Sequence, residues 1–202
     1  SAAVLWIARG EVLPYSYAAV QSTSSLKPCV FFDRDGIVNR SPGPGYVERV
    51  EDFHLLPEFV TALRLVLQRG YESVIITNQR GVGKGQMSQA TLDAIHQHLR
   101  DLLAAEGLSL RDIYFCTEVD REHPRLKPQP GMLLEAARDH GLDLTRSWMI
   151  GDNEKDVIAG QRAGCRTLLV RPGDEPTVAE HRVAAMADVP AFLARHLSAE
   201  QR

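Results

Sequence analysis

Apolar and polar positions change their period repeatedly along the chain from Pro28 onward. Five short runs are apolar almost throughout: CVFF at 29–32, SVIIT at 73–77, DIYFC at 112–116, SWMIG at 147–151 and RTLLV at 166–170. Strands covered on both faces read this way, because neither side of the pleat meets water. Between these runs the apolar spacing lengthens to three and four residues. PEFVTALRLVLQRG at 57–70 puts Phe59, Leu63, Val66 and Leu67 on one stripe and ends at Gly70, a C-cap residue. A second helix starts at Ser88, an N-cap residue, and carries Leu92, Ile95, Leu99, Leu102 and Leu103. PGMLLEAARDHG at 130–141 has Pro just inside its start and Gly just past its end. EKDVIAGQRAG at 154–164 and the Ala-rich stretch 176–187 complete the helical set. Strand and helix alternating five times predict a doubly wound α/β domain, a Rossmann-like parallel sheet between two layers of helices.

A chain of 202 residues is long enough for one such domain with a real core and too short for two comfortable ones. The net charge of −3 gives no broad basic surface, so a nucleic-acid partner is not expected. No run approaches the roughly 18 apolar residues of a membrane-spanning helix, so no membrane partner is expected either. The opening SAAVLWIARGEVLPYSYAAV lacks a basic leader, and Arg9 and Glu11 interrupt its apolar part, unlike a signal peptide. The three cysteines, Cys29, Cys116 and Cys165, are odd in number and without CxxC spacing, as expected of reduced thiols. Together these features predict a cytoplasmic protein. Residues 1–27 stand apart from the domain at 28–202. Within them AVLWIA and VLPYSY around RGE suggest a small hairpin, and STSS at 22–25 a linker. A monomer is expected, or a weak homo-oligomer that associates through this extension.

Ligands of doubly wound sheets bind at the carboxyl ends of the strands, so the residues there carry the functional reading. The first run delivers Asp33 and Asp35, the second Thr77, Asn78 and Gln79. The loop after the third carries Lys127, and the fourth delivers Asp152, with Asp156 one helical turn on. Singly, each is an ordinary cap, strand or surface residue. Jointly they place three acids at strand ends (Asp33, Asp35 and Asp152), a hydroxyl and a lysine on one rim, which suits phosphoryl transfer to a carboxylate. Mg²⁺ held by Asp33 and Asp152 would relieve the repulsion between neighbouring acids. Asp33 would attack phosphorus, and Asp35 would protonate the leaving oxygen and later activate water. Thr77 and Lys127 would hold the phosphoryl oxygens.

DRDGIVN, TNQ, KPQPG and GDNEKD resemble the four motifs of the haloacid dehalogenase (HAD) superfamily of phosphatases, over about residues 29–173. The resemblance implies the same roles: Asp33 as nucleophile, Asp35 as acid and base, Thr77 and Lys127 on the phosphate, Asp152 on Mg²⁺. It adds the backbone carbonyl of Asp35 as a metal ligand and Asp156 as a residue orienting the lysine or the metal's waters. Only 44 positions separate Asp33 from Thr77, and 50 separate Thr77 from Lys127, so little room remains for the cap domains of the superfamily. A capless, open site is expected. GYVERVEDFHLLP, TNQRGVGKG, KPQPGMLLEAARDHGLDL and LLVRPG are further similar to the branch acting on heptose bisphosphate, and less closely to the histidinol-phosphate branch. A small sugar phosphate is thus the expected substrate, with contacts carried onto Asn78, Gln79, Arg80 and the loop at Ser41 to Gly45.

Those branches carry a zinc loop, roughly CxH then CxC, before the lysine. Here the region reads CTEVDREHPRLKP: Cys116 remains, Glu118 replaces the His, and no CxC follows. With His123 that makes two ligands where structural zinc needs four, so no zinc is expected. Leu126 also stands where those branches place Arg, and Arg125 is expected to substitute. GVGKG at 81–85 is not a Walker loop, because Gly85 follows Lys84 where that motif needs Ser or Thr, and its first glycine is missing. That excludes a P-loop kinase and leaves Lys84 to meet a distal phosphate. Histidinol-phosphate phosphatase is the alternative enzyme, and a catalytically silent phosphosugar-binding domain the alternative class.

Overall fold

Within each central strand successive side chains point to opposite helical layers, and both sets are apolar. In β1 (Cys29–Phe32), Val30 and Phe32 join one buried cluster, while Cys29 and Phe31 join the other. The computed structural model of the chain describes residues 26–199. The expected hairpin and linker at the N-terminus lie outside the described residues. A six-stranded, wholly parallel sheet runs in the order β3-β2-β1-β4-β5-β6. Its other strands are β2 (Glu72–Asn78), β3 (Asp112–Cys116), β4 (Trp148–Gly151), β5 (Arg166–Val170) and β6 (His181–Val183).

One face is covered by α1 (Pro57–Gln68), α3 (Gln89–Ala105) and α6 (Val189–His196), the other by α4 (Gly131–His140) and α5 (Glu154–Ala163). A single turn, α2 (Arg80–Gly83), follows β2. Ser88 caps α3 by accepting a hydrogen bond from the Thr91 N–H at 3.0 Å, as its position suggests. Gly141 ends α4 in the left-handed conformation, with φ of 63°. Among the described residues no inserted domain stands over the carboxyl ends of the strands, and no helix is long and apolar enough to cross a membrane.

The expected helix over 176–187 is not formed. Four of its apolar residues are alanines and only Met186 of the stretch is buried, too little apolar surface to hold a helix. It supplies instead the edge strand β6, where Leu168 pairs with His181 and Val170 with Val183. The helix comes later, where Pro190 opens a turn and Val189, Phe192 and Leu193 form the buried stripe.

The chain leaves β1 through a turn organised around Arg34, whose side chain is wholly buried. Its Nη1 lies 3.5 Å from Nε2 of His96 on α3. A guanidinium can only donate, so that nitrogen of His96 is unprotonated and the ring neutral. Burial first, and then the charge of Arg34, push the His96 pKa down to about 3. The unfolded ring takes up its proton near pH 6.5, and the folded ring does not. Stability is therefore lost as pH falls below 6.5, by about 2 kcal/mol at pH 5 from this residue. His96→Gln should remove about that much of the loss between pH 7 and pH 5, read from urea unfolding at both. Equal losses in the two proteins would refute this account of His96.

Candidate active site

The ladder between β1 and β4 runs one step past β1, through a bond from Asp33 N–H to the Ile150 carbonyl at 2.9 Å. This brings the end of β1 against the end of β4, so Asp33, Asp152 and Asp156 meet. One oxygen of each lies within 4.8 Å of the others. Two glycines make the room. A Cβ on Gly36 would lie 2.3 Å from Asp152 Oδ2, and one on Gly151 would lie 2.3 Å from the Asp156 Cβ. Gly36 also has φ of 89°, which other residues rarely adopt.

Lys127 enters this cluster from the β3–α4 loop. Its Nζ lies 2.8 Å from Asp33 Oδ1, 2.8 Å from Asp156 Oδ1 and 2.7 Å from the Ile76 carbonyl, a partner for each of its three protons. Burial works against its charge, but Asp156 and Asp33 outweigh burial and raise its pKa. Burial likewise opposes ionisation of Asp33. The charge and hydrogen bond of Lys127, the charge of Lys155 and the Arg34 N–H outweigh it, so this carboxyl is held below the usual range. Asp152 fares differently: burial, and then the charge of Asp33, push it up to about 6. Asp156 is pushed up by the same two causes. Its Oδ2 also accepts from the Asn153 N–H at 3.1 Å, which fixes the start of α5.

Asp35 lies outside this cluster. Arg34 holds both its oxygens at 3.0 Å, and Asn39 Nδ2 and Gln79 Nε2 donate to it at 3.0 and 3.2 Å. Gln79 is buried and also donates to Thr77 Oγ1 at 2.8 Å, which leaves the hydroxyl proton of Thr77 for another acceptor. Asn78 brackets the Lys127 backbone, donating to its carbonyl and accepting from its N–H, both at 3.0 Å. Arg80 donates to the Val119 carbonyl at 3.0 Å and lines a cavity of about 330 Å³ beside Lys127. Arg125 is turned to Glu135 on α4, 3.2 Å away, and does not line that cavity. Leu126 is buried in the apolar cluster under α4. Lys84 faces Tyr46, 3.3 Å from its hydroxyl and 5.4 Å above its ring. Cys116 Sγ lies 3.8 Å from His123 Nδ1.

Sequence reasoning passed over Arg34, Tyr46, Arg121 and Lys155. For Arg34 a signal existed: a cation between two aspartates at a strand end has carboxylates within reach whichever way it turns. Lys155 follows Asp152 by three residues, in the first turn of α5, while Tyr46 and Arg121 reach the site only through loop conformation, which spacing does not encode. A second hollow, of about 360 Å³, lies next to the first and shares Tyr46 with it; Ser41 and Asp52 are among its walls.

Comparison with known proteins agrees with this fold. The family model described as HAD-hydrolase-like matches residues 125–199. The D-glycero-D-manno-heptose-1,7-bisphosphate 7-phosphatase of Thermosynechococcus vestitus is 36% identical over 185 residues, 86% of this chain and 93% of that protein. The D-glycero-beta-D-manno-heptose-1,7-bisphosphate 7-phosphatase of Helicobacter pylori is 36% identical over 143 residues, 70% and 82% of the two chains. Among solved structures, the D,D-heptose 1,7-bisphosphate phosphatase of B. bronchiseptica, complexed with magnesium and phosphate, superposes with a TM-score of 0.75. It is 29% identical and covers 83% of this chain and 98% of its own. The chain belongs to the HAD phosphatases, in the branch that contains the heptose-bisphosphate 7-phosphatases.

Proposed function

We propose that the chain is a Mg²⁺-dependent cytoplasmic phosphatase that removes the 7-phosphate of D-glycero-D-manno-heptose 1,7-bisphosphate through an aspartyl-phosphate. The observation that carries the chemistry is the meeting of Asp33, Asp152, Asp156 and Lys127 in one buried cluster. The names of the relatives and the open site support the choice of sugar. With every carboxylate ionised, three negative charges face one positive charge, and a divalent cation brings the cluster to neutrality. Burial first, and then the charge of Asp33, raise the pKa values of Asp152 and Asp156, so a nearby positive charge would favour their ionised forms. The donor set is all oxygen, which suits Mg²⁺. Asp33, Asp152 and the Asp35 carbonyl would hold the ion. When bound, it supplies charge that offsets the carboxylates and the phosphoryl oxygens.

Oδ1 of Asp33 is taken by Lys127 and by the Arg34 N–H, at 2.8 and 2.7 Å. Oδ2 is left to attack phosphorus as the sugar oxygen departs. Asp35 gives that oxygen a proton. It then takes one from a water molecule, whose oxygen attacks phosphorus and frees Asp33. Arg34, Asn39 and Gln79 keep the Asp35 carboxyl in one orientation throughout. Thr77 donates its free proton to a phosphoryl oxygen, and Lys127 offsets the charge that builds up there.

The experiment is phosphate release with Mg²⁺ from both anomers of heptose 1,7-bisphosphate and from histidinol phosphate. Preference for a heptose anomer is expected; equal or better turnover of histidinol phosphate would reject the sugar. Asp33→Asn should abolish turnover while the thermal unfolding transition survives, and residual wild-type turnover would reject the nucleophile. Asp35→Asn should lower kcat by about 10²-fold or more, the scale of a lost general acid. Mg²⁺ should raise the Tm of the wild type, and Asp152→Asn should remove that rise. An equal rise in both would place the ion elsewhere.

A further inference from the structure

The cavity beside Lys127 has an unbalanced wall. Arg80, Arg121, Lys127 and Lys155 line it, and no carboxylate does. Four cations gathered round about 330 Å³ favour an anion there, although Lys127 and Lys155 also interact with the carboxylates of Asp33, Asp152 and Asp156. Lys127 is spent on Asp33, Asp156 and the Ile76 carbonyl. The other three are not committed in this way. Arg80 gives one nitrogen to the Val119 carbonyl, which holds it in place, but its Nε is buried with no partner. Arg121 and Lys155 make no ion pair among the described residues. They come from separate segments, Arg121 from the loop after β3 and Lys155 from the first turn of α5. Tyr46, from the loop after β1, closes the wall next to the second hollow.

We infer that Arg121 and Lys155, with Arg80, form a subsite for a second anionic group on the substrate, beyond the phosphate that Asp33 attacks. The inference rests on the sugar-bisphosphate reading and deepens it, because it says which side chains tell a bisphosphate from a monophosphate. A guanidinium presents paired donors that match two oxygens of a phosphate, while Lys155 adds a compact charge. The same wall disfavours histidinol phosphate, whose ammonium would enter a cavity that offers no carboxylate. Arg121 also takes the part that Arg125, turned to Glu135, does not fill. Both hollows meet at Tyr46, so a sugar can lie across that ring with its far phosphate among the cations.

The test compares kcat/KM for heptose 1,7-bisphosphate with that for heptose 7-phosphate in wild type, Arg121→Gln, Lys155→Gln, the double variant and Arg125→Gln. The wild type should prefer the bisphosphate. Each single change at Arg121 or Lys155 should cut the ratio of the two values about tenfold, and the double change should bring it near one. A ratio unchanged in the double variant overturns the inference. So does a fall in Arg125→Gln that Arg121→Gln does not share. Should the wild type turn over neither heptose phosphate, the function proposed above fails, and the subsite is then decided by calorimetry. Fructose 1,6-bisphosphate should bind the wild type at least tenfold tighter than fructose 6-phosphate, and the double variant should lose that margin. Equal binding of the two sugars by the wild type overturns the subsite.

Discussion

The structure is organised by the need to hold three carboxylates together away from water. Any two of Asp33, Asp152 and Asp156, within 4.8 Å, repel by at least about 3 kcal/mol at an effective dielectric constant of 20. Lys127 at 2.8 Å from two of them returns about 6 kcal/mol for each contact. Attraction and repulsion thus come close to cancelling, and the desolvation of four charged groups remains uncompensated. That residue of unfavourable energy is visible as the raised pKa of Asp152. A fold maximising stability would not assemble this cluster. One that must neutralise a phosphoryl group beside a carboxylate nucleophile has reason to, because its charge deficit is met when the ligands arrive.

Much of the surrounding architecture follows from that constraint. The parallel sheet brings β1 and β4 side by side, and only there can residues so far apart in sequence as Asp33 and Asp152 end on one rim. Gly36 and Gly151 are bare because the carboxylates occupy the space their Cβ atoms would need. Asn78 clamps the backbone of Lys127 at both its N–H and its carbonyl, so the lysine enters from a fixed point. Arg34 and His96 form a separate support beneath Asp35. A wholly buried guanidinium takes both oxygens of Asp35, and a neutral imidazole packs behind it.

The core of this arrangement was legible in the sequence because it lies on strand ends. A strand fixes direction and spacing, so an apolar run followed by Asp places that Asp on the rim without further knowledge. Asp33, Thr77 and Asp152 could be read in this way, whereas Lys127 lies in the β3–α4 loop and is marked by its KPQPG motif. The sixth strand could not, since His181–Val183 has no apolar pattern of its own and exists by pairing with β5. Gln79 reads as a substrate contact from its place after Thr77, but the turn into α2 buries it against Asp35 and Thr77. Arg125 and Arg121 differ only in how the β3–α4 loop folds, and composition is silent on that.

The same division between strand ends and loops separates chemistry from selectivity. The groups proposed to act on phosphorus sit on the sheet or on the segments pinned to it, where displacement would cost hydrogen bonds in the ladder. The groups proposed to face the rest of the substrate, Tyr46, Arg121 and Lys155, sit on loops or on the first turn of a helix. Changes there leave the carboxylate cluster intact. With no inserted domain among the described residues to close over the site, these loops are the part of the fold placed to contact the remainder of a sugar. A loop that holds Cys116 and His123 without a fuller ligand set can still help select an anion, because selection needs only uncommitted positive charge at the right wall of an open cavity. Charge is easier to supply from a new position than a four-ligand metal site, since it requires no shared geometry among distant residues.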